Sequence, residues 1–353
     1  MTDQNTGTLD ITTAAAEFTL THPFLNTATY GLGCREAVQA MSEDLDKWRD
    51  GRFDIKAYDQ VIDRGRVSFA ALVGAADVDT VAIISQLSQA TSLVAASLRP
   101  GDEVVVAEED FTSILFPFLA REVDGVKVTV VPLDGVIDAI RPSTTAVAVS
   151  AVQSADGRVL DLDALAESVQ GTDTMTFVDV TQAAGWLPID ADRFTVTAAG
   201  AYKWLCSPRG SGFMTVRPEA MDRLTPNASN WYATDAPWES AYGPPFRPAR
   251  NARRYDLSPA WSSWVGTTPT VELLAAVGVE AIHAHDVGLA SIVRDRLGLA
   301  PSNSAIVAFD MEGAGDKLSA AGISAASPSS LTRLSFHLYN TEEHVEAVLR
   351  ALG

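Results

Sequence analysis

Residues 196–204 (VTAAGAYKW) carry a short apolar run into a lysine, Lys203, and the glycine-rich loop 207–212 (SPRGSG) follows. Burial at the end of such a strand disfavours the charged ammonium and lowers the pKa of the lysine. A neutral lysine amine is the form that attacks an aldehyde to make a Schiff base. Because most lysines are exposed, Lys203 taken alone is also consistent with a surface residue at a strand-to-turn junction.

A second charged residue, Asp179, directly follows the apolar run 175–178 (MTFV). At the carboxyl end of a strand in an open α/β sheet, a carboxylate can face a ligand in the crevice. As an isolated residue it is equally suited to cap a helix. The spacing to Lys203 leaves room for a crossover and one further strand, so we expect both side chains at one rim of a sheet. Pyridoxal phosphate (PLP) requires such a carboxylate, a lysine and a phosphate site.

Together with residues 24–31 (FLNTATYG) and 333–341 (RLSFHLYNT), these stretches resemble the class V aminotransferase family. This family belongs to fold type I of the PLP-dependent enzymes and includes cysteine desulfurases, isopenicillin N epimerase-like proteins and carbon–sulfur lyases. The resemblance covers nearly the whole chain and rests on the order and spacing of several motifs. It implies an α/β fold, with a mostly parallel sheet covered by helices in a large domain and a small C-terminal α/β domain.

The resemblance implies PLP as the cofactor and assigns the two catalytic roles. Lys203 is the lysine that binds the cofactor aldehyde, and Asp179 is the partner of the pyridine nitrogen. The further cofactor positions are Gln182 and Ser154 near the phenolic oxygen, Phe111 against the ring, Ser88, Leu87 and Tyr202 at the phosphate, and Ser258 and Trp261 across a dimer interface. Arg333 is expected to bind the substrate α-carboxylate, with Asn26 and Ala28 beside it. No metal is expected.

Each of these positions also has a structural interpretation. Phe111 is consistent with a core residue, Ser88 with an ordinary helix cap and Gln182 with a surface amide. Arg333 alternates with apolar neighbours, as an outward-facing strand residue would. The functional interpretation is preferred because one cofactor would use all of these residues together.

The chain departs from the family pattern in residues 322–330 (GISAASPSS), where desulfurases carry a nucleophilic cysteine. The two cysteines of the chain, Cys34 and Cys206, lie elsewhere. We therefore expect an enzyme that is not a cysteine desulfurase. Gly200 and Tyr202 replace a serine and a histidine that are common in relatives, so we expect a different phosphate site.

Removal of the Cα proton by Lys203 is a step that several reactions of a cofactor-bound amino acid share. We expect an aminotransferase. A carbon–sulfur β-lyase is the close alternative, because some such lyases also carry Lys-Trp followed by Pro-Arg-Gly, and an epimerase is a further one. A PLP-binding paralogue without turnover is least favoured. A nicotinamide-dependent dehydrogenase would need Gly-x-Gly-x-x-Gly, of which residues 31–36 (GLGCRE) hold a fragment.

The composition is that of a globular chain of 353 residues, with 47% hydrophobic and 20% charged residues. A formal net charge of −19 argues against nucleic-acid binding through a basic face. Two cysteines indicate a reducing compartment, and neither a signal peptide nor an apolar run near the roughly 20 residues of a membrane span is recognisable. We expect a cytoplasmic homodimer that acts on a small amino acid.

Apolar runs alternate with helical patterns, which predicts an α/β sheet. We expect an N-terminal arm at 1–20, a large PLP-binding domain at 21–268 that includes a segment contributing to the small domain, and a small domain at 269–353. Strands are predicted at 81–84, 104–106, 126–131 and 146–150, and in the small domain at 304–310 and 331–336. Helices are predicted at 34–50, 57–73, 87–98, 269–284, 286–299 and 341–351.

Residues 225–268 are rich in Pro, Trp, Tyr and Arg and lack periodicity, which is typical of a functional segment. Four arginines in it, at 247, 250, 253 and 254, are suited either to attract an acidic substrate or to form internal salt bridges.

Overall fold

A seven-stranded sheet forms the centre of the protein in the computed structural model, which describes residues 7–328 and 330–353. Its strand order is β1-β7-β6-β5-β4-β2-β3, and β7 alone runs antiparallel to its neighbours. Every strand except β3 is buried along its length, which explains the continuous apolar runs. The strands are β1 Val81–Ile84, β2 Glu103–Ala107, β3 Lys127–Val131, β4 Ala146–Ser150, β5 Met175–Asp179, β6 Val196–Gly200 and β7 Gly212–Val216.

Helices cover both faces of this sheet because alternate strand residues point to opposite sides. On β2, Val105 joins the core that includes Phe69, whereas Val104 joins the core on the other face that includes Leu93 and Phe118. The helices in this part of the chain are α1 Ile11–Ala15, α2 Arg35–Arg49, α3 Ala57–Leu72, α4 Leu87–Ser97, α5 Thr112–Leu119 and α6 Leu162–Ser168.

The C-terminal part builds a second, smaller α/β unit around an antiparallel pair of strands. The preceding helix, α7 Trp261–Val277, packs against α2 and α3 and joins the core of the large sheet. The elements of the smaller unit are α8 Val279–Leu297, β8 Ile306–Phe309, α9 Ala314–Ala320, β9 Thr332–Ser335 and α10 Glu342–Leu352. The N-terminal segment completes this unit, since Phe24 bridges Ser324 and Asn26 bridges Ser335. This pairing carries residues 26–30 towards the edge of the large sheet, where Ala28 accepts a hydrogen bond from Gln182.

The predicted α/β fold, with a mostly parallel sheet and a smaller C-terminal unit, is confirmed. The helix predicted at 269–284 begins earlier, at Trp261. The predicted start was wrong because proline is typical of the first turn of a helix, whereas Pro269 lies inside α7. The predicted boundary between 268 and 269 falls within the same helix, and the domain division stays a prediction. Residues 1–6 of the predicted arm lie outside the described residues, and Ile11–Ala15 form α1.

The segment between β7 and α7 has four short 3-10 turns and is fastened to α3 and the sheet by contacts of a buried carboxylate. Asp256 Oδ2 lies 2.5 Å from Arg66 Nη2, and Asp256 Oδ1 accepts a hydrogen bond from the Ile83 amide. Three of the four arginines of the segment, at 250, 253 and 254, face carboxylates of the same chain, as the internal salt-bridge interpretation expects.

No single helix among the described residues is long and apolar enough to cross a bilayer, and α7 with α8 meets that criterion only as a pair bent by 84°. Residues 7–328 and 330–353 also bring together no group of three His, Cys, Asp or Glu side chains that could hold a metal ion.

Candidate active site

The carboxyl ends of β4, β5 and β6 meet at one rim of the sheet, where Asp179 is the last residue of β5 and Lys203 follows β6. This brings the two residues to one cavity of about 150 Å³. The cavity is lined by Gln86, Leu87, Ser88, Phe111, Ser113, Ser150, Ser154, Asp179, Thr181, Gln182, Gly200, Tyr202, Lys203 and Arg209.

Lys203 is 7% exposed, and its Nζ lies 5.4 Å from the centroid of the Phe111 ring. Burial lowers the pKa of Lys203 to about 8, although the charge of Asp179 acts in the opposite direction. The positive charges of Arg333 and Arg209 add to the lowering. At pH 7 roughly a tenth of this amine is therefore neutral, far more than of an ordinary lysine, and the neutral form is the one that attacks a carbonyl.

The Asp179 carboxylate is buried, and groups at the carboxyl ends of β5 and β4 hold it in place. Its Oδ1 accepts a hydrogen bond of 2.8 Å from the Thr181 amide, and the Ser150 hydroxyl approaches Oδ2 at 3.5 Å. Burial raises the pKa of Asp179 against these hydrogen bonds and the charge of Lys203. No lysine or arginine of the described residues pairs with it within 4 Å, so a cationic ligand in the cavity would stabilise the ionised form.

The opposite end of the cavity is suited to an anion. Helix α4 begins there, and Gln86 at its N-cap position makes no side-chain capping bond, which leaves the first amide groups available beside Ser88. The Arg209 guanidinium lies 4.3 Å from the Tyr202 ring and forms no ion pair with a carboxylate among the described residues. Partial positive charge from the helix and full charge from Arg209 therefore act on the same cavity.

The Gln182 amide has a fixed orientation. Its Oε1 accepts a hydrogen bond of 2.7 Å from Trp204 Nε1, and its Nε2 donates to the Ala28 carbonyl at 3.0 Å and the Ser154 hydroxyl at 2.9 Å. Because an indole can only donate, the oxygen of Gln182 must face Trp204 and the NH₂ group must face Ser154 and the cavity.

Arg333 lies next to the cavity and reaches it through Ser154. Its Nη1 donates to the Ser154 carbonyl and its Nη2 to Thr29 Oγ1 at 2.7 Å, while the buried Nε has no partner in the part of the chain that the structure describes. Burial lowers the pKa of Arg333 to about 10. Asn26, which bridges Ser335 two residues after Arg333, has a buried Oδ1 without a hydrogen-bond partner among the described residues.

Eight of the predicted cofactor residues line this one cavity: Lys203, Asp179, Gln182, Phe111, Ser88, Leu87, Tyr202 and Ser154. Gln182 is buried rather than a surface amide, Phe111 is 49% exposed rather than a core residue, and Arg333 is buried rather than outward-facing. Ser258 and Trp261 do not line the cavity of their own chain. Ser258 is exposed and Trp261 stacks on Tyr58 at 5.4 Å, so their role across a dimer stays a prediction.

The residues without a role assigned from the sequence include Ser150, Thr181 and Arg209, which line the cavity, and Asp110, which contacts Ser150. Asp110 accepts hydrogen bonds from Gln153 Nε2 at 2.7 Å and the Ser150 amide at 3.1 Å, and burial raises its pKa to about 6. The strand-end rule that singled out Asp179 also applies to Asp110, which follows β2 shortly before Phe111. Arg209 carries no such signal, because a loop arginine gives no indication of the side to which it points.

Comparisons with known proteins agree with this geometry. The sequence pattern of the family described as Aminotransferase class-V matches residues 52–314. The uncharacterized aminotransferase YcbU of Bacillus subtilis (strain 168) is 30% identical, over 92% of this chain and 93% of its own length. The chain belongs to the class V aminotransferase family. Another relative, the isopenicillin N epimerase of Streptomyces clavuligerus, is 26% identical over 82% of this chain and 83% of its own.

The class V aminotransferase fold is also seen in a solved structure, that of the cysteine desulfurase CsdA of Escherichia coli. It superposes with a TM-score of 0.81, at 21% identity, over 97% of both chains. The predicted family is confirmed by the family match and by the relative of 30% identity, and this family is PLP-dependent.

The prediction that this class V aminotransferase is not a cysteine desulfurase is contradicted. It rested on residues 322–330, which hold no cysteine and of which Ser329 lies outside the described residues. CsdA carries that name, and so do several curated relatives, which are named probable cysteine desulfurases. One missing residue in a loop is weaker evidence than likeness along the whole chain, so the exclusion is withdrawn and cysteine belongs among the substrates to be tested.

Proposed function

We propose that this protein is a PLP-dependent aminotransferase that acts on the α-amino group of an amino acid. The observation that carries the proposal is the convergence of a buried lysine of lowered pKa and a buried aspartate on one cavity. When bound, PLP supplies an aldehyde that combines with amines and a protonated ring that withdraws electrons from the substrate Cα.

The residues of the cavity fit this cofactor at three points. Asp179 lacks a cationic partner, which a protonated pyridine nitrogen would supply. The uncapped start of α4, Ser88 and Arg209 offer amide, hydroxyl and guanidinium groups to a phosphate. Phe111 presents a half-exposed ring at the cavity wall, 5.4 Å from Lys203 Nζ, where it can stack on a flat heterocycle.

Lys203 has two tasks in this proposal. Its neutral Nζ first holds the cofactor, and after a substrate amine has displaced it, the same Nζ accepts the Cα proton as a general base. A pKa of about 8 is close to the optimum for a base that works near neutral pH. Asp179 keeps its negative charge opposite the ring nitrogen, and Thr181 and Ser150 hold it in that position.

Arg333 is proposed to bind the substrate α-carboxylate. Its guanidinium is buried, has no carboxylate partner among the described residues, and keeps Nε unpaired. Its present contacts are to neutral oxygens of Ser154 and Thr29, which a carboxylate can replace with stronger charge-assisted bonds. Asn26 and Ala28 remain proposed neighbours of the substrate.

Transamination is preferred because the relative with 30% identity is named an aminotransferase. Carbon–sulfur β-elimination is the second candidate, supported by the Lys203-Trp204 and 208–210 (PRG) stretches that some lyases share. Epimerisation is kept as an outcome because a relative is named isopenicillin N epimerase.

The proposed assembly is a homodimer with active sites near the interface. Its support is the family and an exposed apolar strip on α2, formed by Val38, Leu45 and Trp48. The cytoplasmic location and the division into 1–20, 21–268 and 269–353 stay predictions.

A substrate panel tests the proposed reaction. PLP-loaded protein is incubated with amino acids, cysteine, cystine and thioether conjugates, with and without a keto-acid acceptor. We expect amino-group transfer that depends on the acceptor, and loss of turnover in Lys203→Ala but not in the exposed control Lys47→Ala. Pyruvate and ammonia without an acceptor would instead establish elimination. Turnover that survives in Lys203→Ala would refute the proposal.

A further inference from the structure

A buried polar chain runs from the C-terminal unit to the residue that follows Lys203. His337 comes shortly after β9 and Asp286 lies on α8, and neither side chain is accessible to solvent. His337 Nδ1 lies 3.0 Å from Asp286 Oδ2, and His337 Nε2 lies 2.9 Å from the backbone carbonyl of Trp204. The imidazole thus connects a carboxylate of the small unit to the backbone of the active-site rim.

The partners of the imidazole determine its protons. A carbonyl oxygen can only accept, so His337 Nε2 must carry a proton. The carboxylate at Nδ1 accepts the second one, which makes His337 an imidazolium paired with Asp286. Burial opposes this charge, but Cys206 and Asp286 outweigh burial and raise the pKa of His337 to about 10. A charged donor makes a stronger bond to the Trp204 carbonyl than a neutral one would.

The hydrogen bond from His337 can influence the cavity through two parts of Trp204, its backbone and its indole ring. Trp204 lies one residue past Lys203, and its carbonyl belongs to the peptide group that joins it to Leu205, so the hydrogen bond restrains the backbone just after the lysine. Its indole Nε1 orients the Gln182 amide, and its ring packs edge-on against His337 at 5.4 Å. A second indole, that of Trp186, donates only to the backbone carbonyl of Gln182 and so does not orient the side chain.

We propose that His337, held by Asp286, is a positioning residue of the active site, which sets the backbone just after Lys203 and the Gln182 amide through Trp204. The inference rests on the proposed function, since it assumes that Lys203 and Gln182 bind PLP. His337 touches neither cofactor nor substrate, because Trp204 lies between it and the cavity.

The first test uses His337→Phe, His337→Gln and the control His283→Phe. His283 is stacked on Trp186 at 5.8 Å, and its Nδ1 has no hydrogen-bond partner among the described residues. The readouts are the equilibrium affinity of apoprotein for PLP and the pH midpoint of its rate of PLP uptake. We expect His337→Phe to weaken PLP binding about tenfold, because one buried hydrogen bond changes a binding constant by about one order of magnitude. We also expect the pH midpoint of PLP uptake to move upward. His337→Gln, which keeps one donor, should recover part of both effects.

The second test compares Trp204→Phe with Trp186→Phe, which remove the same indole N–H from two neighbouring tryptophans. Trp204→Phe frees the Gln182 amide and should weaken PLP binding about tenfold, whereas Trp186→Phe should leave it near the wild-type value. This pair tests the link from Trp204 to Gln182. If His337→Phe does not fold, His337→Gln decides the role of His337: PLP binding equal to that of the wild type in a folded His337→Gln would overturn it.

The results separate this inference from the proposed function. If wild-type protein does not take up PLP at Lys203, the proposed function fails. If wild-type protein takes up PLP at Lys203, and Trp204→Phe and a folded His337→Phe bind PLP with the wild-type affinity and pH midpoint, only the positioning role is overturned. Equal losses in His283→Phe and His337→Phe would also overturn it, because they would reflect general damage to the core.

Discussion

Lys203 and Asp179 show how burial prepares two groups of opposite charge for one ligand. Burial lowers the pKa of the lysine and raises the pKa of the aspartate, so it disfavours the charged form of each group. A ligand that forms a bond with the amine and brings a cation to the carboxylate relieves both costs. This reciprocity is the physical reason for placing PLP at this rim.

The lowered pKa of Lys203 predicts how cofactor uptake depends on pH. The ammonium form does not attack an aldehyde, so the rate of PLP uptake by apoprotein should rise with pH and level off above about 8. Stopped-flow absorbance measures this rate, with Lys203→Ala as the blank. A rate that continues to rise towards pH 10.5, the ordinary value for lysine, would show that the amine is not desolvated.

Arg333 predicts a loss that depends on the substrate carboxylate. Replacing it with alanine removes a charge-assisted bidentate contact, so kcat/KM for α-amino acids should fall about 100-fold or more. The corresponding amines without a carboxylate should lose little, and the exposed control Arg296→Ala should lose nothing. Steady-state kinetics on such substrate pairs measures the effect, and equal losses on both members would contradict the assigned role.

At the scale of elements, the sequence predicted the positions of strands and helices that local patterns determine. The apolar runs located β1 and β4 at their observed bounds, and the helix starts near 35, 57 and 87 lie within a residue of the predicted ones. It did not predict that β7 enters the sheet antiparallel, because residues 207–212 indicate only a loop and strand direction depends on pairing. Nor did it predict the Arg66–Asp256 contact, which joins residues that are far apart in the chain.

That ion pair predicts a stability effect of the segment before α7. Replacing Asp256 with alanine leaves Arg66 charged and buried without its partner, which should lower the free energy of unfolding by about 3 to 5 kcal/mol. The exposed pair Arg250–Asp235 is the control. Asp235→Ala should change the free energy of unfolding by less than about 0.5 kcal/mol. Urea unfolding followed by tryptophan fluorescence measures both, and similar small losses would disprove the anchoring role of Asp256.

At the scale of the whole molecule, the site depends on contacts between distant parts of the chain. Ala28 and Thr29 come from the N-terminal segment, Ser154 and Gln182 from the large sheet, and Arg333 from the small unit, all linked by hydrogen bonds. The family resemblance named four of these five residues, but their mutual bonds are tertiary. Composition and periodicity depend on local patterns, so these contacts between distant residues could not be derived from them.

A tight contact between Gly157 of the large unit and Ile306 of the small unit predicts an effect of a single methyl group. A Cβ on Gly157 would lie 2.5 Å from Ile306 Cβ, and the residue has a φ of +80°. Gly171 has a similar φ of +74° but open space around it. Gly171→Ala should therefore cost only the backbone strain of about 1 to 2 kcal/mol, and Gly157→Ala should lower the thermal midpoint clearly further. Equal midpoints would mean that the two units do not pack as described.

The most direct test of the proposed chemistry is to locate the covalent bond. Purified protein loaded with PLP is reduced with borohydride, digested and analysed by mass spectrometry. We predict a single pyridoxyl-phosphate adduct on the peptide that contains Lys203, and none on that peptide in Lys203→Ala. An adduct on another lysine of the wild-type protein, or no adduct at all, would contradict the assignment of this rim as a PLP site.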